Sequence, residues 1–202
     1  ELRGILQRKI ENKEAHVSVI GLGYVGLPLA VSIAKAGFVV HGIDKDEKKV
    51  SGLANGRSHV KDVSDLEIEE SVGSTRFCPT NRFGVLAKSD VVIICVPTPL
   101  RKSKDPDISY VLDAMSEIKQ RLHPEMLIIL ESTTYPGTSD ELIAAEIERS
   151  GFRVGGDVSV CFSPERVDPG NVVYRTNNTP KVIGGVTPAC TEVGALFYSQ
   201  VL

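Results

Sequence analysis

Three glycines in residues 21–26, Gly-Leu-Gly-Tyr-Val-Gly, have the types and spacing of a turn that binds phosphate groups. The apolar residues 17–20 before them are typical of a buried parallel strand, and residues 27–37 predict a helix. Glycines permit a tight turn and the close approach of a phosphate, which the positive end of the helix dipole attracts. Strand, turn and helix in this order form the dinucleotide-binding fingerprint. The residues of this turn that we expect to bind the cofactor are Gly21, Gly23, Tyr24, Val25 and Gly26.

The carboxylate of Asp44 indicates which dinucleotide binds. Asp44 follows a predicted strand at 38–43 and lies 18 residues beyond Gly26, close to the roughly 20-residue spacing at which an acidic residue meets the adenosine ribose. At that position it can accept hydrogen bonds from ribose hydroxyls and repel a 2′-phosphate. We therefore expect Asp44 to bind the cofactor, and the cofactor to be NAD rather than NADP.

Hydroxyl side chains follow two further predicted strands. Residues 90–96 are a strongly apolar run that leads into Pro97-Thr98-Pro99, and the strand predicted at 126–130 leads into Glu131-Ser132-Thr133. Ligands of open parallel sheets bind outside the carboxyl ends of the strands. We therefore expect these two turns to meet the cofactor. The residues assigned to it here are Val96, Pro97, Thr98, Ser132 and Thr133.

Strands and helices alternate along the chain, which predicts an α/β fold with a doubly wound parallel sheet, a Rossmann-like domain. Residues 1–15 predict an amphipathic lead-in helix, and residues 16–202 the NAD-binding domain. Near the carboxyl end we expect a helix over 139–149 and a last strand over 181–185, with a final helix from about Pro188.

The amino-acid composition of the chain argues against several classes of function. The net charge is −3 without a long basic run, which argues against a nucleic-acid partner. No apolar run approaches the roughly 20 residues that span a bilayer and no signal peptide is evident, so we expect no membrane association and a cytoplasmic location. The four cysteines are widely spaced and are expected to be buried reduced thiols. The four histidines show no metal-ligand spacing, and no metal site is predicted.

Four motifs occur in an order that resembles a known family. They are Gly-Leu-Gly-Tyr-Val-Gly-Leu-Pro at 21–28, Val-Pro-Thr-Pro at 96–99, Ser-Thr-Thr-Tyr-Pro-Gly-Thr at 132–138 and Ser-Pro-Glu-Arg at 163–166. Together they resemble the amino-terminal domain of the UDP-glucose/GDP-mannose dehydrogenase family, over roughly residues 16–202. The last two motifs, with Gly-Arg-Ser-His at 56–59, are more similar to the branch that oxidises UDP-N-acetylglucosamine or UDP-N-acetylmannosamine.

The resemblance implies a reaction and a longer enzyme. Members of the family oxidise the C6 alcohol of a nucleotide sugar to a carboxylate with two NAD, through a thiohemiacetal and a thioester on a cysteine. That cysteine, with a helper lysine and asparagine, lies in the second half of a chain about twice this long, and none of the four cysteines here matches its motif. The chain therefore resembles the cofactor half alone, of an enzyme expected to be a homodimer.

The resemblance also implies roles for residues on the reacting side. Thr133 matches the threonine that helps to hold a water near the nicotinamide, and Glu165 matches the base that assists thioester hydrolysis. A carboxylate beside an ordered water suits that role. Glu165, Arg166 and Val167 are expected to lie along the UDP-sugar substrate, and an arginine suits a ligand rich in phosphate or hydroxyl groups.

Three other functions stay open on the sequence. One is UDP-glucose 6-dehydrogenase. Another is a non-catalytic Rossmann module that senses NAD, which should lack the hydroxyl-rich Ser-Thr turn and the Pro-Glu loop that this chain has. The third is a dehydrogenase of the β-hydroxyacid type, which would need a catalytic lysine in a helical domain after the sheet.

Overall fold

A seven-stranded sheet forms the centre of the computed structural model, which describes residues 2–101, 106–164 and 180–202. The strands are β1 His16–Ile20, β2 Val39–Ile43, β3 Phe77–Thr80, β4 Val91–Ile94, β5 Leu127–Leu130, β6 Ser159–Phe162 and β7 Gly184–Gly185. Their order across the sheet is β3-β2-β1-β4-β5-β6-β7, and β1 to β6 are parallel. The strand order therefore reverses between β1 and β4. The predicted doubly wound α/β fold is confirmed.

The strands at the middle of the sheet are apolar along their whole length because helices cover both of their faces. Every residue of β4, Val-Val-Ile-Ile, and of β5, Leu-Ile-Ile-Leu, is buried. Such continuous apolar runs are typical of parallel strands buried on both sides. The register pairs Ile20 with Ile43 and Ile94, and Ile94 with Leu130. The carboxyl ends of β2, β1, β4 and β5 are therefore level, and the residues that follow them leave the sheet side by side.

Seven α-helices lie in the described part of the chain. They are α1 Leu2–Glu11, α2 Gly26–Lys35, α3 Glu47–Ala54, α4 Asp65–Gly73, α5 Ser109–Lys119, α6 Ala145–Arg149 and α7 Pro188–Ser199. One apolar cluster joins one face of the sheet to α1, α2, α4 and α7, and a second joins the other face to α5 and α6. None of these helices is long and apolar enough to cross a membrane.

The amino-terminal helix α1 packs against the domain. Leu6 and Ile10 are buried in the same apolar cluster as α2 and α7. Lys9 Nζ lies 2.6 Å from Oδ1 of Asp90, whose Oδ2 accepts a hydrogen bond from the His16 amide at the start of β1. The helical spacing of the apolar residues in this segment thus reflects a face that is covered by the core.

The structure differs from the predicted elements at two places near the carboxyl end. The helix predicted at 139–149 begins as a π-helix over Thr138–Ala144, after Gly137 in the left-handed conformation, and only then continues as α6. The strand predicted at 181–185 is limited to β7, which pairs antiparallel to β6. Residues before β7 are held by side chains instead: the Ser163 hydroxyl donates to the Val182 carbonyl at 2.8 Å.

Candidate functional site

A cleft of about 910 Å³ opens at the level carboxyl ends of β2, β1, β4 and β5. Its lining includes nearly all the residues that the sequence assigned to the cofactor: Gly21, Gly23, Tyr24, Val25, Asp44, Val96, Pro97, Thr98, Ser132 and Thr133. Gly26 is buried and lies outside this lining. The cleft coincides with the point where the strand order reverses, which is where ligands of such sheets bind.

The presence of glycine has a different physical explanation at each of the three positions in the turn. Gly21 has a φ of 94°, and a Cβ there would lie 2.6 Å from the Cys95 carbonyl oxygen at the end of β4. A Cβ on Gly26 would lie 1.8 Å from the Gly21 carbonyl oxygen, so Gly26 lets α2 pack against the turn. A Cβ on Gly23 would meet nothing within 4 Å. Gly23 therefore leaves open space at the turn that a ligand can fill.

The amino-terminal end of α2 is arranged to accept an anion. Its N-cap residue, Val25, makes no side-chain capping hydrogen bond. In the first turn of α2 the Leu27 amide donates to the Gly23 carbonyl and Pro28 has no N–H. An anion is therefore attracted here mainly by the positive end of the helix dipole. The open space at Gly23 and this uncapped helix fit the pyrophosphate of a dinucleotide.

Two side chains hold the glycine turn in place from outside it. The Asp44 carboxylate accepts a hydrogen bond from the Leu22 amide through Oδ2 at 3.0 Å, and one from the Asp46 amide through Oδ1 at 3.0 Å. His59 donates from Nε2 to the Leu22 carbonyl at 2.6 Å. Asp44 is 13% exposed at its side chain and lines the cleft. It can therefore order the turn and still offer oxygen lone pairs to ribose hydroxyls.

Lysines that the sequence analysis did not assign flank Asp44. Lys49 Nζ lies 3.6 Å from Asp44 Oδ2, and Lys45 Nζ lies 3.0 Å from Asp113 Oδ2 on α5. Asp46 caps α3 by accepting from the Lys49 amide, which places Lys49 on the side of Asp44. Both lysines and Asp113 line the cleft. The available signal was a lysine five positions after the acidic residue, in the first turn of the helix that follows.

Hydroxyl groups on the far side of the cleft have two different surroundings. Ser132 is 5% exposed, and its hydroxyl donates to the Val96 carbonyl at 2.7 Å, which joins the ends of β5 and β4. Thr133 is exposed in the cleft, and Thr98 is half-buried there. Ser132 therefore holds the turn, whereas Thr133 is exposed to the cleft.

A buried carboxylate lies directly before these hydroxyl groups. The Glu131 side chain is fully buried, and its Oε2 lies 2.7 Å from Lys181 Nζ. Its Oε1 accepts a hydrogen bond from the Tyr198 hydroxyl of α7. Sequence reasoning did not single out Glu131, because its partners are 50 and 67 residues away in the chain.

The remaining predicted site residues, Glu165, Arg166 and Val167, lie outside the described residues. Their assignment to the reaction and to the substrate stays a prediction.

The cysteines of the described chain are poorly suited to act as nucleophiles. Cys95, Cys161 and Cys190 are buried and Cys78 is half-buried. Burial, with a contribution from Cys190, raises the pKa of Cys161 to about 12, and burial also raises the pKa of Cys78. Because the thiolate is the reactive form, neither of these two thiols reacts readily at neutral pH.

The order of groups along the cleft matches an extended dinucleotide. Asp44 follows β2, the glycine turn follows β1, Thr98 lies beyond β4 and Thr133 beyond β5. Neighbouring strands are about 4.8 Å apart, so the cleft runs roughly 14 Å from the end of β2 to the end of β5. A ribose at Asp44 and a pyrophosphate at the turn would place the other end of the ligand at Thr98 and Thr133.

Comparison with known proteins decides the family. A profile of the UDP-glucose/GDP-mannose dehydrogenase family, NAD binding domain, matches residues 15–202. The chain belongs to the UDP-glucose/GDP-mannose dehydrogenase family. It corresponds to the NAD-binding domain, and its cofactor is NAD. The predicted resemblance and cofactor are confirmed.

Relatives of this NAD-binding domain are longer proteins. The UDP-N-acetyl-D-glucosamine 6-dehydrogenase of Pseudomonas aeruginosa is 35% identical over 94% of this chain and 44% of its own length. The UDP-N-acetyl-D-mannosamine dehydrogenase of Pyrococcus horikoshii is 33% identical over 90% of this chain and 44% of its own length. A solved structure of the UDP-N-acetyl-mannosamine dehydrogenase Cap5O from Staphylococcus aureus superimposes with a TM-score of 0.87 at 34% identity, covering 93% of this chain and 45% of that one. The chain thus spans somewhat under half of the proteins it matches.

Proposed function

We propose that this chain is the NAD-binding part of a longer enzyme that oxidises the C6 alcohol of a UDP-N-acetylhexosamine to a uronate. The observation that carries the proposal is the order of Asp44, the glycine turn, Thr98 and Thr133 across one cleft. The names of the relatives, which are dehydrogenases of UDP-N-acetylglucosamine and UDP-N-acetylmannosamine, support the substrate class.

The bound cofactor supplies one kind of chemistry, the acceptance of a hydride from C6 in each of two oxidations. The alcohol, two NAD and one water then yield the acid, two NADH and two protons. Within this chain, Asp44 orients the adenosine ribose, and the amides of the glycine turn with the amino-terminal end of α2 hold the pyrophosphate. Thr133 holds a water at the reacting end, and Glu165 draws a proton from that water.

The sugar and the nucleophile involve residues beyond the described cleft. In this proposal Arg166 and Val167 lie along the UDP-sugar, and the cysteine that captures the aldehyde comes from the remainder of the longer enzyme. The raised pKa values of Cys78 and Cys161 support this division, because these two thiols stay protonated at neutral pH.

The proposal extends to organisation and location. Residues 16–202 form the NAD-binding domain of an enzyme that acts as a homodimer, and the lead-in segment 1–15, which contains α1, precedes the domain. The reaction takes place in the cytoplasm, where NAD is available and free thiols stay reduced; Cys78, Cys95, Cys161 and Cys190 are all free.

The test uses the 202-residue chain and two measurements. Isothermal titration with NAD is expected to show binding to one site. Incubation with NAD and UDP-N-acetylglucosamine, UDP-N-acetylmannosamine or UDP-glucose is expected to show no NADH absorbance at 340 nm, because the nucleophile is missing. Turnover by the purified chain would refute the division of the enzyme, and turnover of UDP-glucose alone would also refute the substrate class. Absence of NAD binding would refute the proposal as a whole.

A further inference from the structure

The buried ion pair of Glu131 and Lys181 is not used by the cofactor contacts described so far. Glu131 has a fully buried side chain, and Lys181 is 13% exposed at its side chain. The Lys181 ammonium also lies 5.3 Å from the centre of the Tyr198 ring, and the Tyr198 hydroxyl donates to Glu131. A carboxylate, an ammonium and a phenol are thus packed together beside a cleft that Glu131 itself lines.

Stability alone does not explain such a cluster. Removing two charges from water is costly, and well-packed apolar residues in place of a buried ion pair often leave a protein equally or more stable. The same volume filled by leucine and methionine would complete the apolar cluster that contains α7. A buried ion pair does, however, impose one geometry on the segments that it joins, because each charge is stable only next to its partner.

The segments joined here are those that carry the groups at the reacting end. Glu131 lies two residues before Thr133, and Lys181 follows the stretch 165–179 that contains Glu165. On one side, the Glu131 amide donates to the Ile94 carbonyl of β4 at 2.9 Å, so the backbone at the end of β5 is fixed. On the other side, Ser163 at the end of β6 donates to the Val182 carbonyl, which fixes the backbone beside Lys181.

We propose that Lys181 and Tyr198 are positioning residues that act through Glu131, holding the end of β5 so that Thr133 meets the nicotinamide end of NAD. The inference rests on the proposed function, since it takes the reacting end of the ligand to lie at β5. It goes beyond that function because it assigns a role to Lys181 and Tyr198, which do not line the cleft. The proposed adenosine and pyrophosphate subsites lie at the ends of β2 and β1, whereas Glu131 follows β5.

The consequence is a selective effect on one half of the ligand. ADP-ribose contains the adenosine, the pyrophosphate and the second ribose of NAD but lacks the nicotinamide. A displaced Thr133 therefore weakens the binding of NAD and leaves that of ADP-ribose unchanged. A merely structural ion pair, when broken, lowers the melting temperature and affects both ligands alike.

The experiment measures both dissociation constants by isothermal titration for the 202-residue chain and four variants. Lys181→Met is expected to raise the dissociation constant of NAD about tenfold and to leave that of ADP-ribose within about twofold. Lys181→Arg keeps the cation and is expected to rescue NAD binding. Tyr198→Phe keeps the buried ring and removes only the hydroxyl, so it is expected to fold and to show the same selective loss to a smaller degree. Lys35→Met, which breaks an exposed ion pair with Glu67, serves as the matched control and changes neither constant.

The outcomes separate the two proposals. Equal weakening of NAD and ADP-ribose in Lys181→Met, or unchanged NAD binding in both Lys181→Met and Tyr198→Phe, overturns the positioning role alone. If the unaltered chain binds neither ligand, the proposed function falls as well. If Lys181→Met does not fold, Tyr198→Phe decides the matter, since it leaves the ion pair intact.

Discussion

Replacing Asp44 by alanine tests the adenosine subsite most directly. In the free chain the carboxylate accepts hydrogen bonds from two backbone amides and lies 3.6 Å from Lys49 Nζ, with 13% of its side chain exposed. In the proposed complex with NAD, the same oxygens would accept hydrogen bonds from ribose hydroxyls. A hydrogen bond to a charged group is worth about 1.5–3 kcal/mol. The dissociation constant of NAD is therefore expected to rise by about 10- to 100-fold.

The same substitution is expected to change the choice between NAD and NADP. Alanine removes the negative charge that would repel a 2′-phosphate, and it leaves Lys45 and Lys49 beside the vacated position. The affinity for NADP should rise while that for NAD falls, so the ratio of the two constants is the most sensitive readout. Both constants are measurable by titration calorimetry at fixed ionic strength, since screening weakens the effect of the lysines.

A control separates loss of the ribose contact from disturbance of the local fold. Asp46→Ala removes a neighbouring exposed carboxylate that caps α3 but does not line the cleft. It should cost about 1 kcal/mol of stability and leave the dissociation constant of NAD unchanged. If Asp44→Ala binds NAD as tightly as the unaltered chain, or if Asp46→Ala weakens NAD equally, Asp44 is not the ribose ligand.

Two further predictions concern the turn and the sheet. Gly26→Ala places a Cβ 1.8 Å from the Gly21 carbonyl oxygen, so it should lower the free energy of unfolding in urea by about 3 kcal/mol. Gly23→Ala should keep the stability of the unaltered chain but bind NAD about tenfold more weakly. Equal stability of the two variants would contradict the separate roles of these glycines. Burial, with a smaller contribution from His16, lowers the pKa of His41, so the unfolded chain binds a proton more readily than the folded one. The contribution of neutral His41 to the free energy of unfolding should therefore be fully present above about pH 6.5. It should fall by up to about 1.4 kcal/mol per pH unit as the pH drops from there to the pKa of His41 in the folded chain. A His41→Val chain that keeps this pH dependence would refute the assignment to His41.

Local sequence patterns predicted most of the fold and brought out many of the residues that line the cleft. The apolar runs of β4 and β5 predicted strands correctly, since parallel strands that are buried on both faces need apolar residues throughout. The glycine spacing and Asp44 identified the cofactor class, because a tight turn and a ribose acceptor depend on residues close together in the chain.

Other features depend on contacts that no local pattern contains. The π-helix at Thr138–Ala144 has the same apolar periodicity as an α-helix over so short a length, so the sequence could not distinguish them. β7 is shorter than the predicted strand, and just before it the Val182 carbonyl is bonded by the Ser163 hydroxyl and Lys181 is paired with Glu131.

The sequence by itself determined the kind of protein, an α/β fold that binds NAD, and it predicted a glycine turn, an acidic residue and hydroxyl groups that all line one cleft. These depend on short-range spacing, which a linear pattern records. Only the tertiary structure decided that Lys49 lies against Asp44, that Ser132 joins β5 to β4, and that Lys181 and Tyr198 enclose Glu131. The last of these pairings joins residues far apart in the chain, and their meeting follows from the strand order of the sheet.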